Sequence, residues 1–292
     1  IINANNINAI KDFAFYGCTY LNSVSLSETV TSIESLAFKQ CKGLTSVSLS
    51  NGLTLIGPSA FSECSALTHI DIPDNVITIS RLAFEKCSNL ETIIISNGVK
   101  KILGNAFQNC TKLKSITIPN SVNKLGSYAF SGCSSLDSVI LGDSIKSIEW
   151  ATFENCSKLD NISLGNSITY IGEYAFRNCK LNNLILPSSI STIGNNAFMS
   201  TGIRTVIVKA IEPPVCTSTS FPDAKKIVPL YVPYESIDLY RNANVWKEFY
   251  SINALPATVT NNSNLQAETT EERVTLNWPI VENADQYVVD IF

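Results

Sequence analysis

The sequence predicts a solenoid of parallel β coils, in which one short unit is repeated along most of the chain and each copy packs on its neighbours. An Ala-Phe dipeptide followed three residues later by Cys returns every 23 residues, and an alternating apolar pattern lies between its copies. Apolar residues make up 45% of the chain and charged residues only 16%. This composition is sufficient for a continuous buried core and argues against disorder.

The Ala-Phe-x-x-Cys motif marks each unit. Thr152 replaces the alanine before Phe153, and a ninth copy, Ala197-Phe198, comes one residue early and lacks the cysteine. We interpret the motif as one helical or 3₁₀ turn whose Phe and Cys point inward. The residues that keep the period are Phe15, Phe38, Phe61, Phe84, Phe107, Phe130, Phe153 and Phe176, with Cys18, Cys41, Cys64, Cys87, Cys110, Cys133, Cys156 and Cys179.

A second pattern, L-x-x-I-x-I, lies between the motifs, as at Leu113, Ile116 and Ile118. Its last part alternates with period two and is rich in β-branched residues, which is typical of a short strand. Pro or Gly with Asn or Asp follows and predicts a turn. Two further apolar residues three apart predict a second short extended segment. Stacked coils place such strands about 4.8 Å apart, and each buried Phe contributes roughly 1.5–3 kcal/mol.

The combined unit, L-x-x-I-x-I-P-N-x-V-x-x-I-G-x-x-A-F-x-x-C-x-x, resembles the BspA-like family of bacterial leucine-rich repeats and is similar to the treponemal-type repeat class. The resemblance covers residues 7 to about 210. It implies a leucine-rich-repeat solenoid, α/β or mainly β, of right-handed parallel β coils with short helical or 3₁₀ turns. We therefore predict a repeat array of about nine coils over residues 1–210. A Pro/Asn turn replaces the buried Asn ladder of ordinary leucine-rich repeats.

After Val208 the period stops. An exposed last coil would show a bare apolar face, so solenoids need a cap, and residues 211–255 predict that cap. Its sequence includes a predicted helix from Glu235 to Tyr240 and an aromatic group around Trp246. Its order of residues resembles the C-terminal caps of the same family.

Two further segments follow the predicted cap. Residues 256–270 are polar and predict a linker. Residues 271–292 contain two alternating stretches, Arg273 to Trp278 and Tyr287 to Ile291, that resemble the opening of a fibronectin type III domain. Because a sandwich of that type could not close within these residues, we expect the protein to continue beyond Phe292.

The nine cysteines admit a disulfide, a metal or a buried-thiol interpretation. Disulfides need Cβ atoms about 3.5–4.5 Å apart that face each other, whereas stacked coils hold them parallel at the coil spacing or more. Zinc sites need Cys pairs two to four residues apart, and the sequence has none. We therefore predict a ladder of free buried thiols. Cys216 lies outside the ladder and is interpreted as an inert cap residue, though it is also the candidate for an exposed thiol.

Several functional classes find no support in the sequence. His69 is the single histidine and falls at an outward strand position, with Asp71 as a surface neighbour, so histidine catalysis or a histidine metal site is not predicted. No catalytic or nucleotide-binding motif occurs, and neither a cofactor nor a metal is predicted. The net charge of −4 without a basic stripe argues against nucleic acid. No membrane-spanning run and no signal peptide are visible.

The candidate binding face is formed by the outward positions of L-x-x-I-x-I, because side chains alternate along a strand. These positions form two columns, and the second contains isoleucines towards its C-terminal end. Either β propensity or a contact patch accounts for these isoleucines. The first column is Ser23, Ser46, His69, Thr92, Ser115, Ser138, Asn161, Asn183 and Thr205. The second column is Ser25, Ser48, Asp71, Ile94, Thr117, Ile140, Ser163, Ile185 and Ile207.

A separate aromatic group, Tyr128, Trp150 and Tyr174, comes just before the Phe column on adjacent coils. Two interpretations remain open for it. The rings pack against each other on the convex side, or they serve as anchors for a partner.

Three functional hypotheses follow. The regular surface and the family resemblance favour a cell-surface or secreted module of the bacterial envelope, expected to be a monomer that binds host or microbial surface proteins, or glycans, in adhesion or recognition. The alternative is a rigid spacer that displays a downstream domain. An enzyme, for instance one that acts on glycans, is not predicted, because an open solenoid offers no cleft for paired catalytic carboxylates.

Overall fold

A computed structural model describes residues 7–255 and the two strands at Gln266–Thr270 and Arg273–Asn277. The chain divides into two compact units, and the second begins at Ala254. The first is a parallel-strand solenoid of about eleven turns with very little helix, which confirms the predicted fold class. Within the described residues, no helix has both the length and the apolar character needed to cross a membrane.

Each coil contributes one longer and one shorter strand, numbered in chain order. The shorter strands are β1 Ala9–Ile10, β3 Ser32–Ile33, β5 Leu55–Ile56, β7 Thr78–Ile79, β9 Lys101–Ile102, β11 Lys124–Leu125, β13 Ser147–Ile148, β15 Tyr170–Ile171, β17 Thr192–Ile193 and β19 Val215–Cys216. The longer strands are β2 Ser23–Ser25, β4 Ser46–Ser48, β6 His69–Ile72, β8 Thr92–Ile95, β10 Ser115–Ile118, β12 Ser138–Leu141, β14 Asn161–Ser163, β16 Asn183–Leu186, β18 Thr205–Val208 and β20 Pro229–Val232. A last strand, β21 Ser251–Ala254, lies beside β20.

The repeat strands pair in parallel and in register with their counterparts in neighbouring coils, the shorter strands in two sheets and the longer strands in four. Ser115 of β10 pairs with Ser138 of β12, and Lys101 of β9 pairs with Lys124 of β11. Each residue thus faces its counterpart one repeat later, so that residues at equivalent positions form columns along the solenoid. Alternate residues of the longer strands are buried, as the period-two pattern predicts.

The core is built around a column of stacked phenylalanine rings. Neighbouring rings from Phe15 to Phe221 lie 4.9 to 5.6 Å apart between centroids, with planes 2° to 11° from parallel. All of these rings except that of Phe15 are fully buried. This column confirms that the Phe of each motif points inward.

The Ala-Phe-x-x-Cys segments are runs of tight turns. In one of them, the amide of Cys110 donates to the carbonyl of Phe107 at 3.2 Å, three residues back, as in a 3₁₀ turn. The amide of Phe107 instead donates to Ala129 in the next coil at 2.8 Å. A regular helix does not propagate because φ is positive two residues on either side of the Phe, at +61° for Asn105 and +60° for Asn109.

The cysteine column is a ladder of free thiols, as predicted. The Cys133 thiol donates to the carbonyl of Phe107 in the preceding coil at 3.3 Å, and the same contact repeats from Cys41 to Cys179 at 3.0 to 3.3 Å. Cys18 departs from the prediction, because its thiol is exposed. In the described part of the chain no coil precedes its own, so it has no phenylalanine carbonyl to bond.

The solenoid continues past the predicted boundary at residue 210. Strand β19 pairs with β17, β20 pairs with β18, and the Phe221 ring stacks on the Phe198 ring. The count of about nine coils is therefore too low. The signal was present in the sequence, since Phe221 keeps the 23-residue spacing from Phe198, but Ser220 and Ala224 stand where the motif has Ala and Cys.

The C-terminal end of the first unit carries the solenoid's only described helices. They are a 3₁₀ turn at Tyr234–Ser236, the helix α1 at Ile237–Asn242 and a 3₁₀ turn at Trp246–Glu248, which match the predicted helix and aromatic group. The Trp246 indole lies 5.5 Å from the Phe221 ring and donates to the carbonyl of Pro214 at 2.7 Å. These contacts cover the last phenylalanine of the column.

Cys216 is not an exposed thiol. It is half-buried in β19 and packs against the core. Burial raises the pKa of the Cys216 thiol to about 12, and the nearby Lys225 only partly opposes this shift. The interpretation as an inert residue is therefore the one that the structure supports.

The second unit contains an antiparallel pair of strands, β22 at Gln266–Thr270 and β23 at Arg273–Asn277. Strand β22 lies within the segment predicted as a linker, so residues 256–270 are not irregular throughout. The predicted strand at Tyr287 to Ile291 lies outside the described residues, and the fibronectin type III resemblance stays a prediction.

Candidate functional site

The predicted binding columns lie on the outward side of the longer strands, which we call the strand face. Register pairs join Asp71 to Ile94 and Ile140 to Ser163, so the columns predicted from spacing are real neighbours in space. Most members are exposed, and three are half-buried, Ser138, Thr205 and Ile207. Ile207 loses exposure because Tyr231 of β20 lies directly beside it, so it does not belong with the exposed isoleucines.

His69 takes part in a small polar network on the strand face. Its Nε2 lies 2.8 Å from an oxygen of Asp71, and its Nδ1 lies 2.6 Å from the Thr92 hydroxyl. All three side chains are exposed, so the network is a solvated surface feature, as predicted. No group of three or more His, Cys, Asp or Glu side chains among the described residues is placed to hold a metal ion.

Three isoleucines stand out on the strand face. Ile94, Ile140 and Ile185 are 57%, 54% and 48% exposed, respectively, although their neighbours in the same columns are mostly hydroxyl or amide side chains. Exposed apolar side chains that are surrounded by polar groups are a feature of interaction surfaces.

The strand face also carries three shallow depressions, and an exposed isoleucine lies in each. The largest, of about 830 Å³, extends from Thr117 past Ile140 and Ile185 to Lys209. A second, of about 630 Å³, lies around Ile94 and His69. The third, of about 510 Å³, joins Ile140 to Asn161 and Asn183. The apolar and polar groups of the face therefore meet in concave surface rather than on a flat sheet.

One wall of the largest depression is a ladder of turn residues that sequence reasoning did not include in the site. Asn120 Oδ1 accepts a hydrogen bond from the amide of Asp143 at 2.9 Å, and Asp143 Oδ1 accepts one from the amide of Asn166 at 2.8 Å. These side chains bond the next coil rather than their own backbone. The ladder is exposed, in place of the buried Asn ladder of ordinary leucine-rich repeats, and it fixes the rim of the depression.

The predicted aromatic group is only partly assembled. The Tyr128 and Trp150 rings pack with centroids 5.3 Å apart, whereas Tyr174 has the guanidinium of Arg177 above its ring at 5.2 Å. Trp150 remains 48% exposed. Two of the three rings therefore pack together, and the third uses a cation–π contact instead.

The stacked coils, the phenylalanine column and the open strand face together define a leucine-rich-repeat solenoid, a class whose members are generally binding modules associated with surfaces. The family described as BspA type Leucine rich repeat region matches residues 1–110 and 77–204, in six copies. This chain belongs to that family. A comparison with curated proteins yields no match.

Several solved structures are similar to this chain. A leucine-rich repeat protein from Bacteroides ovatus is 22% identical over 85% of this chain, with a TM-score of 0.55, and the chain spans 64% of that protein's length. A T. pallidum leucine-rich repeat protein is 29% identical, with 61% of this chain and 72% of that chain covered and a TM-score of 0.44. A leucine-rich cell surface protein from Faecalibacterium prausnitzii is 20% identical, with coverages of 88% and 86% and a TM-score of 0.44.

Proposed function

We propose that the chain is a cell-surface or secreted binding module that recognises a partner protein through the depression around Ile140 and Ile185. The observation that carries the proposal is the coincidence of exposed isoleucines, concave surface and an ordered polar rim at one place. Burying a side chain such as Ile140 against a partner contributes up to about 1.5–3 kcal/mol. A host or microbial surface protein is the proposed partner, and adhesion is the proposed outcome.

The amide and carboxylate groups of the rim would orient that partner. Asn120 and Asp143 already hold the next coil through one oxygen each, which leaves their remaining polar atoms open to solvent. A fixed polar rim around an apolar centre is the arrangement of known protein interfaces. We propose no catalytic role, because leucine-rich-repeat solenoids are generally non-enzymatic.

The test is a binding screen of the purified chain against extracellular-matrix proteins, mucins and glycans, followed by a paired-variant comparison. The test variant is Ile140→Ser with Ile185→Ser. Its matched control is Leu55→Ser with Ile77→Ser, since these side chains are 41% and 49% exposed but lie away from the strand face. Saturable binding that the test variant weakens at least tenfold and the control leaves intact supports the proposal. Equal effects of both variants contradict it.

A rigid spacer is the second candidate function. A separate compact unit follows the solenoid from Ala254 onwards, and this observation favours a display role. If no component of the screen binds and the strand-face variant unfolds at the same denaturant concentration as the unchanged chain, the spacer function becomes the better account.

A further inference from the structure

Four lysines lie together on the shorter-strand side of the solenoid, on three consecutive coils. They are Lys100, Lys101, Lys124 and Lys146, and all four are exposed. We call them the lysine patch. Lys101 and Lys124 are direct partners in the parallel pairing of β9 and β11. The amide of Asn123 donates to the carbonyl of Lys100 at 2.9 Å, which fixes the coil of Lys100 against the next one.

Within the described part of the chain, no carboxylate forms an ion pair with the patch. The ion pairs of the solenoid involve other cations, such as Lys11 with Glu34 and Lys114 with Glu91. The nearest acidic residues in sequence have other partners, since Asp143 accepts from the amide of Asn166 and Glu149 accepts from the Ser147 hydroxyl. The patch is therefore a group of four cations without an ion-paired carboxylate, on a chain of net charge −4.

Like charges at directly paired strand positions lower stability. The fold does not require them, because the equivalent positions in other coils hold Leu55, Thr78, Ser147 and Tyr170. These lysines lower stability and form no described ion pair. Their presence therefore points to a ligand of opposite charge. The patch occupies two adjacent columns over three coils stacked about 4.8 Å apart, so it extends along the solenoid. Lys101 lies beside Lys124 in one column, and Lys100 and Lys146 lie two coils apart in the other.

Cations spread over three consecutive coils suit an extended polymer that carries repeated anionic groups. Single-stranded nucleic acid would need a basic groove with several stacking aromatic rings, and none of the depressions described above includes a residue of the patch. An anionic membrane would attract the same charges, but it requires no arrangement of them along the solenoid axis. The choice of a carbohydrate polymer rests on the proposed location at the cell exterior.

We propose that the lysine patch binds a linear sulfated polysaccharide, at a site separate from the strand face. The sulfate groups would pair with Lys101 and Lys124 in one column and with Lys100 and Lys146 in the column beside it. Binding of this kind releases counterions and weakens steeply with salt.

The experiment measures the affinity of the full chain for heparin by titration calorimetry as a function of salt, with chemically desulfated heparin as the comparison probe. Four contacts to a dense polyanion correspond to a loss of about 100-fold between roughly 50 and 200 mM salt. In the variant Lys101→Gln with Lys124→Gln, we expect that loss to fall to about tenfold, because half of the contacts are removed.

The matched control is Lys158→Gln with Lys180→Gln, which makes the same change in net charge at two exposed positions outside the patch. The proposal is supported if only the patch variant weakens heparin binding and desulfated heparin binds poorly. It is overturned if both double variants weaken binding equally, if desulfation has no effect, or if phosphatidylserine vesicles or single-stranded DNA bind more tightly than heparin. The patch variant should leave strand-face binding unchanged, so the two proposals can fail independently.

Discussion

The Phe221 ring stacks on the Phe198 ring with 4.9 Å between their centroids and 10° between their planes. This contact is the shortest in the phenylalanine column, and Phe221 lies beyond the last Ala-Phe motif of the sequence. Trp246 and Phe249 then pack against the other side of Phe221. The end of the solenoid is thus a further coil with its own aromatic cover, and the stability of the array depends on residues outside the recognisable repeats.

The first prediction concerns that end. Phe221→Ala should lower the free energy of unfolding by about 3–5 kcal/mol, because it empties a fully buried site between two aromatic layers. Urea unfolding followed by tryptophan fluorescence measures the change, since Trp246 lies beside the cavity. Phe13→Ala is the control, because that ring is 56% exposed. Similar losses in the two variants would show that the last coil adds little to the cooperative core.

The second prediction concerns the left-handed residues of the turns. Asn155 has φ of +61°, a conformation that β-branched side chains avoid. Asn155→Val should cost about 1–2 kcal/mol, whereas Asn155→Gly should cost much less. Both variants lose the hydrogen bond that Asn178 donates to the Asn155 side chain at 2.7 Å, so the difference between them isolates the backbone effect. Equal losses in thermal or urea unfolding would assign the role of Asn155 to that hydrogen bond.

The third prediction concerns thiol reactivity. The ladder thiols are buried, Cys216 is half-buried with its pKa raised to about 12, and Cys18 is exposed. Because the thiolate is the reactive form and needs access to the reagent, we expect a single fast reaction with a thiol reagent at pH 8. Cys18→Ser should abolish that phase, and denaturant should release all the others. A fast phase that persists in Cys18→Ser would contradict the burial of the ladder.

The fourth prediction is a loss of stability at alkaline pH. Burial raises the pKa of the Cys133 thiol to about 12, whereas an unfolded thiol titrates near 8.5. The folded state therefore holds its proton where the unfolded state loses it. The stabilisation is complete below about pH 8.5 and falls by about 1.4 kcal/mol per pH unit above it, until the folded pKa is reached.

The measurement compares the free energy of unfolding at pH 7.5 and 9.5 in the unchanged chain and in Cys133→Ala. The variant should lose about 1.4 kcal/mol less between the two pH values, because one titrating thiol has been removed. Val139→Ala serves as the control, since it also truncates a buried side chain but removes no titratable group. An identical pH dependence in all three proteins would rule out a contribution from Cys133.

Several features of the fold and site could be read from local sequence. Spacing alone placed Phe107 and Cys110 inside and Thr92 and Ile94 outside, because a fixed period forces equivalent residues into the same environment. The same spacing joins Lys101 to Lys124, but their significance depends on the absence of an ion pair between them and any described carboxylate. Sequence spacing cannot report such an absence, since neighbours come from several coils.

Other features depended on interactions between coils. The segment Ser220-Phe221 lacks the Ala and Cys of the motif, yet its phenylalanine still stacks at the end of the column. The reason is that this position buries the ring against Phe198. Ile207 is only half-buried rather than exposed because Tyr231 lies beside it, and Tyr231 belongs to a segment with no repeat pattern. Asp143 forms part of the rim because its carboxylate accepts a hydrogen bond from an amide of the next coil. The turn sequence alone predicts a hydrogen bond to its own backbone instead.

The sequence by itself determined the coil, its period and the inward or outward direction of each strand residue, because these follow from chain geometry and from the burial of apolar side chains at fixed spacing. The tertiary structure alone decided where the array ends, which outward residues remain exposed and where the strand face becomes concave. The physical reason is that each of these properties depends on the coils on either side of a residue. The sequence of one repeat does not reveal where the adjacent repeats depart from the pattern.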